Sequence, residues 1–212
     1  MVYVDSAMPI NRLKINGLTL FRGERCLFKN LNFDVSDGEI LLIKGKNGSG
    51  KTSLLRTISG LLEPDQGQIY WNGIDIKKNR HEYHENLSWL SHKHGFKKEL
   101  SVNENLKYEL SLRSNAIQDF DRILKKLSLD EVKNRPFGIL SAGQKRRASI
   151  ARMIISKAPL YLLDEPASNL DSEGQEIVRS LVIEHTKNNG VCVMATHQDT
   201  FANMTTNVIE LT

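Results

Sequence analysis

No run of apolar residues in this 212-residue chain approaches the roughly 18 needed to cross a bilayer; strand-like runs such as Ile40-Leu41-Leu42-Ile43 are the longest. Residues 1–10 hold no basic stretch followed by an apolar segment, so no secretory leader is read there and a cytosolic chain is expected. Charge of one sign is scarce too. Lys and Arg number 29 against 25 Asp and Glu, and the net +4 is too mild to argue for nucleic acid or an anionic membrane face. Only two cysteines occur, Cys26 and Cys192, with no C-x-x-C spacing, which excludes a disulfide framework and a zinc ribbon. Both are expected as free, packed thiols. Internal repeats and low-complexity tracts are absent as well, which excludes a solenoid. What remains is 40% hydrophobic and 25% charged, too apolar for disorder and of a length that suits one domain.

The chain reads in three zones. From residue 12 to about 90, short runs (Arg12 to Leu20, Leu27 to Val35, Glu39 to Lys44, Gln68 to Trp71) are broken by the turn pairs Asp37-Gly38 and Asn72-Gly73. Strands and hairpins are expected there, with one helix carrying Leu54, Leu55, Ile58, Leu61 and Leu62 on a shared face. From about 92 to 155 the pattern is helical. Ser101-Val102-Asn103-Glu104 fits a capping box, and Ile117, Phe120, Ile123, Leu124 and Leu127 form an apolar stripe. After that, Leu160 to Leu163, a helix through Gln175 to Thr186, and Val191 to Ala195 give strand, helix, strand, which implies a parallel βαβ unit.

Gly45-Lys46-Asn47-Gly48-Ser49-Gly50-Lys51-Thr52 matches G-x-x-x-x-G-K-[ST], between a buried strand and an amphipathic helix. The glycines let the loop bend round phosphates with its N–H groups inward, Lys51 supplies a cation for the β and γ phosphates, and Thr52 offers a hydroxyl to Mg²⁺. Ser53 opens the helix whose N-terminus adds to the anion site. Such a loop needs a carboxylate for the metal and a group that activates water. Asp164 and Glu165, closing the apolar run Leu160-Tyr161-Leu162-Leu163, supply these, Asp164 toward Mg²⁺ and Glu165 as general base.

Further motifs follow in order: Leu140-Ser141-Ala142-Gly143-Gln144 upstream of the Asp-Glu strand, then Ser168-Asn169-Leu170-Asp171, then His197. Together with the phosphate loop, this order resembles the ABC ATPase family over nearly the whole chain. The resemblance implies an α/β fold in which a P-loop, RecA-like core carries an N-terminal antiparallel β lobe and an inserted α-helical lobe. One domain spanning 12–212 would divide into core and β lobe (about 12–91 and 156–212) and helical lobe (about 92–155). It also implies that Ser141, Gly143 and Gln144 contact the γ-phosphate bound to a second subunit, head to tail, with Asp171 at the seam and His197 bonded to the γ-phosphate. Lys51, Glu165 and His197 form the implied catalytic set, with ATP and Mg²⁺ as cofactors.

Within that family, Tyr83 to His92, then Gly95, Lys97, Leu100 and Glu104-Asn105-Leu106, resemble the ATP-binding subunits of the cytochrome c maturation haem exporter; so do the Leu-Ser-Ala-Gly-Gln pentad and Thr196-His197-Gln198. This implies a subunit held at the cytoplasmic face of the inner membrane by integral membrane partners, serving haem export or release of a haem-loaded chaperone, without nucleic acid. The rival readings are the ATPase of another small exporter and a soluble ABC protein acting on nucleic acid. Three departures from the family pattern stand out. Ala142 replaces a glycine, Arg22 or Phe21 stands where an adenine-stacking aromatic is usual, and His92 occupies the lid position that usually holds Gln. His81, His84, His92 and His94 are read as solvated or structural in preference to haem or metal ligands. Lys145-Arg146-Arg147 is read as a solvated helix face in preference to a nucleic-acid grip.

Overall fold

The computed structural model describes residues 12–91, 93–113, 117, 120–197, 201, 204 and 207–211. His92 and Gln198, with the readings placed on them, lie outside the described residues. Four strands, β1 (Arg12–Arg22), β2 (Arg25–Ser36), β4 (Gln66–Trp71) and β5 (Ile74–Asp75), form an antiparallel sheet in the order β2-β1-β4-β5. Five others, β3 (Ile40–Gly45), β6 (Leu87–Leu90), β7 (Leu160–Asp164), β8 (Val191–Ala195) and β9 (Asn207–Leu211), form a parallel sheet in the order β6-β7-β8-β3-β9. The hairpin reading of the first zone is thus corrected for β3 and β6. Both pair with strands more than a hundred residues or some seventy residues downstream in the chain's parallel half, because their runs are apolar on both faces.

The continuous apolar runs explain the layering. Alternate residues of a strand point to opposite faces. Leu41, Ile43, Leu160, Leu162, Val191 and Val193 pack toward the antiparallel sheet and helix α1 (Lys51–Ile58). Ile40, Leu42, Tyr161, Leu163, Cys192 and Met194 pack toward helices α3 (Val102–Ser111), α4 (Asp121–Lys126), α5 (Ala142–Ser156) and α6 (Ser172–Lys187). Each fully buried aliphatic side chain stabilises this sandwich by about 1.5–3 kcal/mol.

Helix starts follow their caps. Ser101 and Glu104 form both halves of the expected capping box at α3, and Ser141 with Gln144 does the same at α5. Ala142 opens α5 with ordinary helical backbone, so losing the family's glycine there costs nothing in φ. Three expectations are corrected. Helix α1 stops at Ile58, ahead of Gly60 at φ 75, and leaves Leu61 59% exposed beyond its end. Helix α2 (Arg80–Glu85), six residues with only Tyr83 buried, was not anticipated. Among the described residues of the stripe from Ile117 to Leu127, helix is confined to Asp121–Lys126, though Phe120, Leu124 and Leu127 are buried. Both cysteines are free, but only Cys192 is packed; Cys26 is exposed.

Candidate active site

Strands β7, β8 and β3 are neighbours in the sheet, and the chemistry-bearing segments leave from their carboxyl ends. From β3 comes the loop to Lys51, from β7 the pair Asp164-Glu165, and from β8 the pair Thr196-His197. In parallel sheets this end is where ligands bind. A cleft of about 490 Å³ opens there, lined by Asn47, Gly48, Gly50, Lys51, Thr52, Ser53, Asp164, Glu165, Ser168 and His197, with Arg22 and Leu27 on its flank.

Geometry in the loop demands its glycines. Gly45 has φ 152, and a Cβ there would come within 2.4 Å of Ser49 Oγ and 2.5 Å of Leu211 O. Gly50, at φ 104, is the N-cap of α1 and brings no side chain to that cap. Lys51, 7% exposed, donates from Nζ to Gly45 O at 2.7 Å and to Lys46 O at 3.1 Å. The Ser49 hydroxyl is buried without a hydrogen-bond partner, an orphan polar atom in the loop. Thr52 Oγ1 donates to Asp164 Oδ2 at 2.9 Å, so a hydroxyl and a carboxylate oxygen, hard donors of the kind Mg²⁺ takes, already face each other.

Glu165 is held at both carboxylate oxygens. His197 Nδ1 donates to Oε1 at 2.9 Å and Thr196 Oγ1 donates to Oε2 at 3.1 Å. Its backbone is left-handed at φ 48, an uncommon conformation for a side chain of this size. Sequence reasoning named Thr196 only within the Thr196-His197-Gln198 run and gave it no place in the site; its adjacency to His197 at a strand end was the available signal. Of the two residues considered for the base-stacking position, Arg22 lines the cleft, while Phe21 is 44% exposed and donates its N–H to Asp65 Oδ2 at 2.7 Å.

Ser141, Gly143, Gln144 and Asp171 do not line this cleft. Ser141 Oγ accepts from Gln144 N at 3.2 Å, and Gln144 Oε1 accepts from Ser141 N at 3.0 Å. Asp171 caps α6 by accepting from Gly174 N at 2.9 Å, which with Arg147 holds its carboxyl below the usual carboxylate range. A Cβ added at Gly143 would meet nothing closer than Asn169 O at 3.6 Å, so no contact among the described residues requires a glycine there.

The described histidines among His81, His84, His92 and His94 take separate structural or exposed places. His84 Nε2 donates to Ser59 O at 3.0 Å, His94 Nδ1 sits 2.8 Å from Ser149 Oγ, and His81 is exposed. The solvated face expected of Lys145-Arg146-Arg147 is not found. Lys145 Nζ donates to Gly138 O at 2.8 Å, Arg147 reaches Asp171 at 3.2 Å, and Arg146 is 2% exposed. Helix α5 packs against the sheet end, so backbone carbonyls take up Lys145 and Arg146 and carboxylates take up Arg147.

Residues 28–168 match the ABC transporter family. The cytochrome c biogenesis ATP-binding export protein CcmA of Vibrio parahaemolyticus is 40% identical over 90% of this chain and 94% of its own length. Its counterpart from Nitrosococcus oceani is 42% identical over 92% and 88%. Among solved structures, an ATP-binding subunit of an ABC transporter superposes with a TM-score of 0.87 at 22% identity, covering 94% of this chain and 85% of that one. A bacterial ABC transporter cassette solved as a dimer superposes with a TM-score of 0.83 at 25% identity, covering 94% of each. With the phosphate loop, the Asp-Glu strand end and the capped pentad helix in one fold, the chain belongs to the ABC transporter family, alongside its cytochrome c biogenesis ATP-binding export proteins.

Proposed function

We propose that this chain hydrolyses ATP in the cleft at the ends of β3, β7 and β8 and thereby drives a membrane complex for c-type cytochrome biogenesis. The observation that carries the catalytic part is the Glu165 carboxylate, fixed by Thr196 and His197 on the wall of the cleft that also holds Lys51 and Thr52. Backbone N–H groups of Gly48, Ser49 and Gly50 cradle the phosphates, and the Lys51 ammonium exchanges its loop carbonyls for β- and γ-phosphate oxygens. Gly45, Lys46 and Asn47 shape that loop, and Ser53 extends the helix start beneath it. Thr52 and Asp164 would hold Mg²⁺, which when bound neutralises charge on the β and γ phosphates. Glu165 accepts a proton from the attacking water as the water oxygen bonds to the γ-phosphorus and ADP leaves. His197 keeps Glu165 aimed through Nδ1 and turns its other ring edge to the γ-phosphate.

A second copy of the chain completes the site. Gly143 supports this reading, since glycine in a helix costs about 1 kcal/mol against alanine and nothing among the described residues requires it. The close approach it permits belongs to the γ-phosphate on the opposing subunit, with Ser141 and Gln144 at the same helix N-terminus and Asp171 at the seam. No helix among the described residues is long and apolar enough to cross a membrane. Integral membrane partners hold the chain at the cytoplasmic face, and the names of its relatives point to the cytochrome c biogenesis system as the complex it serves.

Glu165→Gln tests both parts. Steady-state ATP hydrolysis by the purified variant is expected to fall on the order of 10²–10⁴-fold with nucleotide binding kept; unchanged turnover overturns the assignment of the base. In source cells carrying only this variant, covalent haem staining of c-type cytochromes is expected to vanish with apocytochromes intact. Normal bands beside an inactive variant would discard the cytochrome role and leave the ATPase.

A further inference from the structure

The most deeply placed cation of α5 bonds four backbone carbonyls. Arg146 Nε donates to Pro166 O at 3.2 Å, Nη1 to Ser91 O at 3.0 Å, and Nη2 to Asp164 O at 3.0 Å and Glu165 O at 2.5 Å. Three of these carbonyls are consecutive, and they belong to the turn in which Glu165 stands at φ 48. A left-handed residue other than glycine is strained and persists only when its surroundings over-determine it. Besides Thr196 and His197 at its carboxylate, Glu165 N donates to Ala195 O at 2.8 Å and Ser168 N donates to Glu165 O at 3.1 Å, and Arg146 cross-links the three carbonyls of the turn. Carbonyls that converge on one point repel unless a cation stands there, and the planar fork of a guanidinium, with five donors against the three of an ammonium, can serve all four.

Placement gives the contact its meaning. Arg146 projects from the second turn of α5, two residues after the Ser141–Gln144 capping box closes. Its fourth acceptor, Ser91, follows the end of β6 and stands next to the lid position. One buried guanidinium therefore ties the pentad helix, the end of the lid strand and the turn bearing the general base.

We infer that Arg146 is a positioning residue for hydrolysis, holding the left-handed turn that aims the Glu165 carboxylate from the helix whose N-terminus meets the second subunit's nucleotide. This rests on the reading of Glu165 as general base. Without the fork, the turn relaxes and the carboxylate drifts while the phosphate loop, built on β3 and α1, is untouched. A misplacement of about 1 Å can cost on the order of 10²-fold in rate.

The test uses the full chain with Arg146→Lys, and Arg146→Gln as a second variant that keeps two donors without charge. Binding sites per chain and Kd are measured with a fluorescent ATP analogue, and single-turnover hydrolysis is measured per binding site. Expected for either variant is a Kd within about 3-fold of the parent and a rate lower by about 10–100-fold, with lysine less impaired than glutamine. In a Glu165→Gln background the same substitutions are expected to add less than about 3-fold, because the group they misplace is already gone. A rate within 2-fold of the parent overturns the inference, as does an equal loss in both backgrounds. Loss of binding sites in both variants also overturns it and assigns Arg146 to folding alone. Unreduced hydrolysis by Glu165→Gln by itself is the separate result that sinks the general-base reading, and the inference with it.

Discussion

Two buried cations flank the strand ends, and they are solvated in opposite ways. Lys51 lines the cleft and donates to two carbonyls of its own loop, Gly45 and Lys46, six and five residues away. Arg146 lies outside the cleft lining and donates to four carbonyls 18 to 55 residues away. The first arrangement is provisional, since an incoming phosphate offers Lys51 better acceptors than loop carbonyls do. The second is closed: burial pushes the guanidinium down to about 10 even though the Asp164 and Glu165 carboxylates pull it up. A cation held by its own loop is available for a ligand, whereas one held by distant elements fixes those elements to each other.

The largest effect that separates the two is on stability. Arg146→Met leaves buried carbonyls without a donor, at about 1–3 kcal/mol for each that cannot relax, so a loss of about 3 kcal/mol or more is expected. Lys51→Met uncovers two carbonyls beside an open cleft that water can reach, and is expected to cost about 1 kcal/mol or less while abolishing nucleotide binding. Urea midpoints and ATP-analogue titrations on the same two variants check the crossing pattern. Equal stability losses would erase the distinction.

The same contrast governs what could be read before the fold was known. Gly45 to Thr52 is contiguous, and its neighbours Ile40 to Ile43 and Leu54 to Ile58 announce a strand and a helix by local pattern alone. Asp164 and Glu165 were legible for the same reason, at the end of a run whose five residues are all buried. Ser101 and Glu104 announced a cap because both halves of the box lie within four residues. Arg146 carried no such signal: a basic triplet on a helix looks solvated until the partners of its middle member arrive from Ser91 and Pro166. Helix α2 was missed because six residues with one buried side chain show no periodicity. Leu61 was overcounted because the spacing of leucines cannot see a chain reversal at Gly60.

An intermediate effect sharpens the comparison through the start of α5. Ser141→Ala removes the N-cap and is expected to lower stability by about 1 kcal/mol. Arg146 stands on the next turn of that helix, so fraying at Ser141 loosens the root of its side chain. The Ser141→Ala and Arg146→Met losses are expected to sum to more than the double variant shows, by at least about 0.5 kcal/mol. Ser141→Ala and Lys51→Met share no partner and are expected to add. Strict additivity in both pairs would mean that the capping box does not support the guanidinium.

The smallest effect is electrostatic and is read at His94. This ring stands edge-on to Phe137 at 5.6 Å, and its Nδ1 lies 2.8 Å from Ser149 Oγ, whose own hydroxyl proton goes to Lys145 O. Burial holds its pKa below the ordinary 6.5, and the charges of Arg146, Lys145 and Arg152 push in the same direction. A histidine depressed in the folded state takes up its proton more readily when unfolded. Its contribution is therefore complete above about pH 6.5 and is lost as pH falls through the folded value. NMR titration of the His94 ring is expected to move upward in Arg146→Gln, without reaching 6.5 because burial, the larger cause, remains. Lys51→Met is expected to leave it in place, since Lys51 is not among the charges acting on this ring. A His94 that moves with Lys51 and not with Arg146 would place the field of the wrong cation behind the lid, and would undo the division of labour between the two.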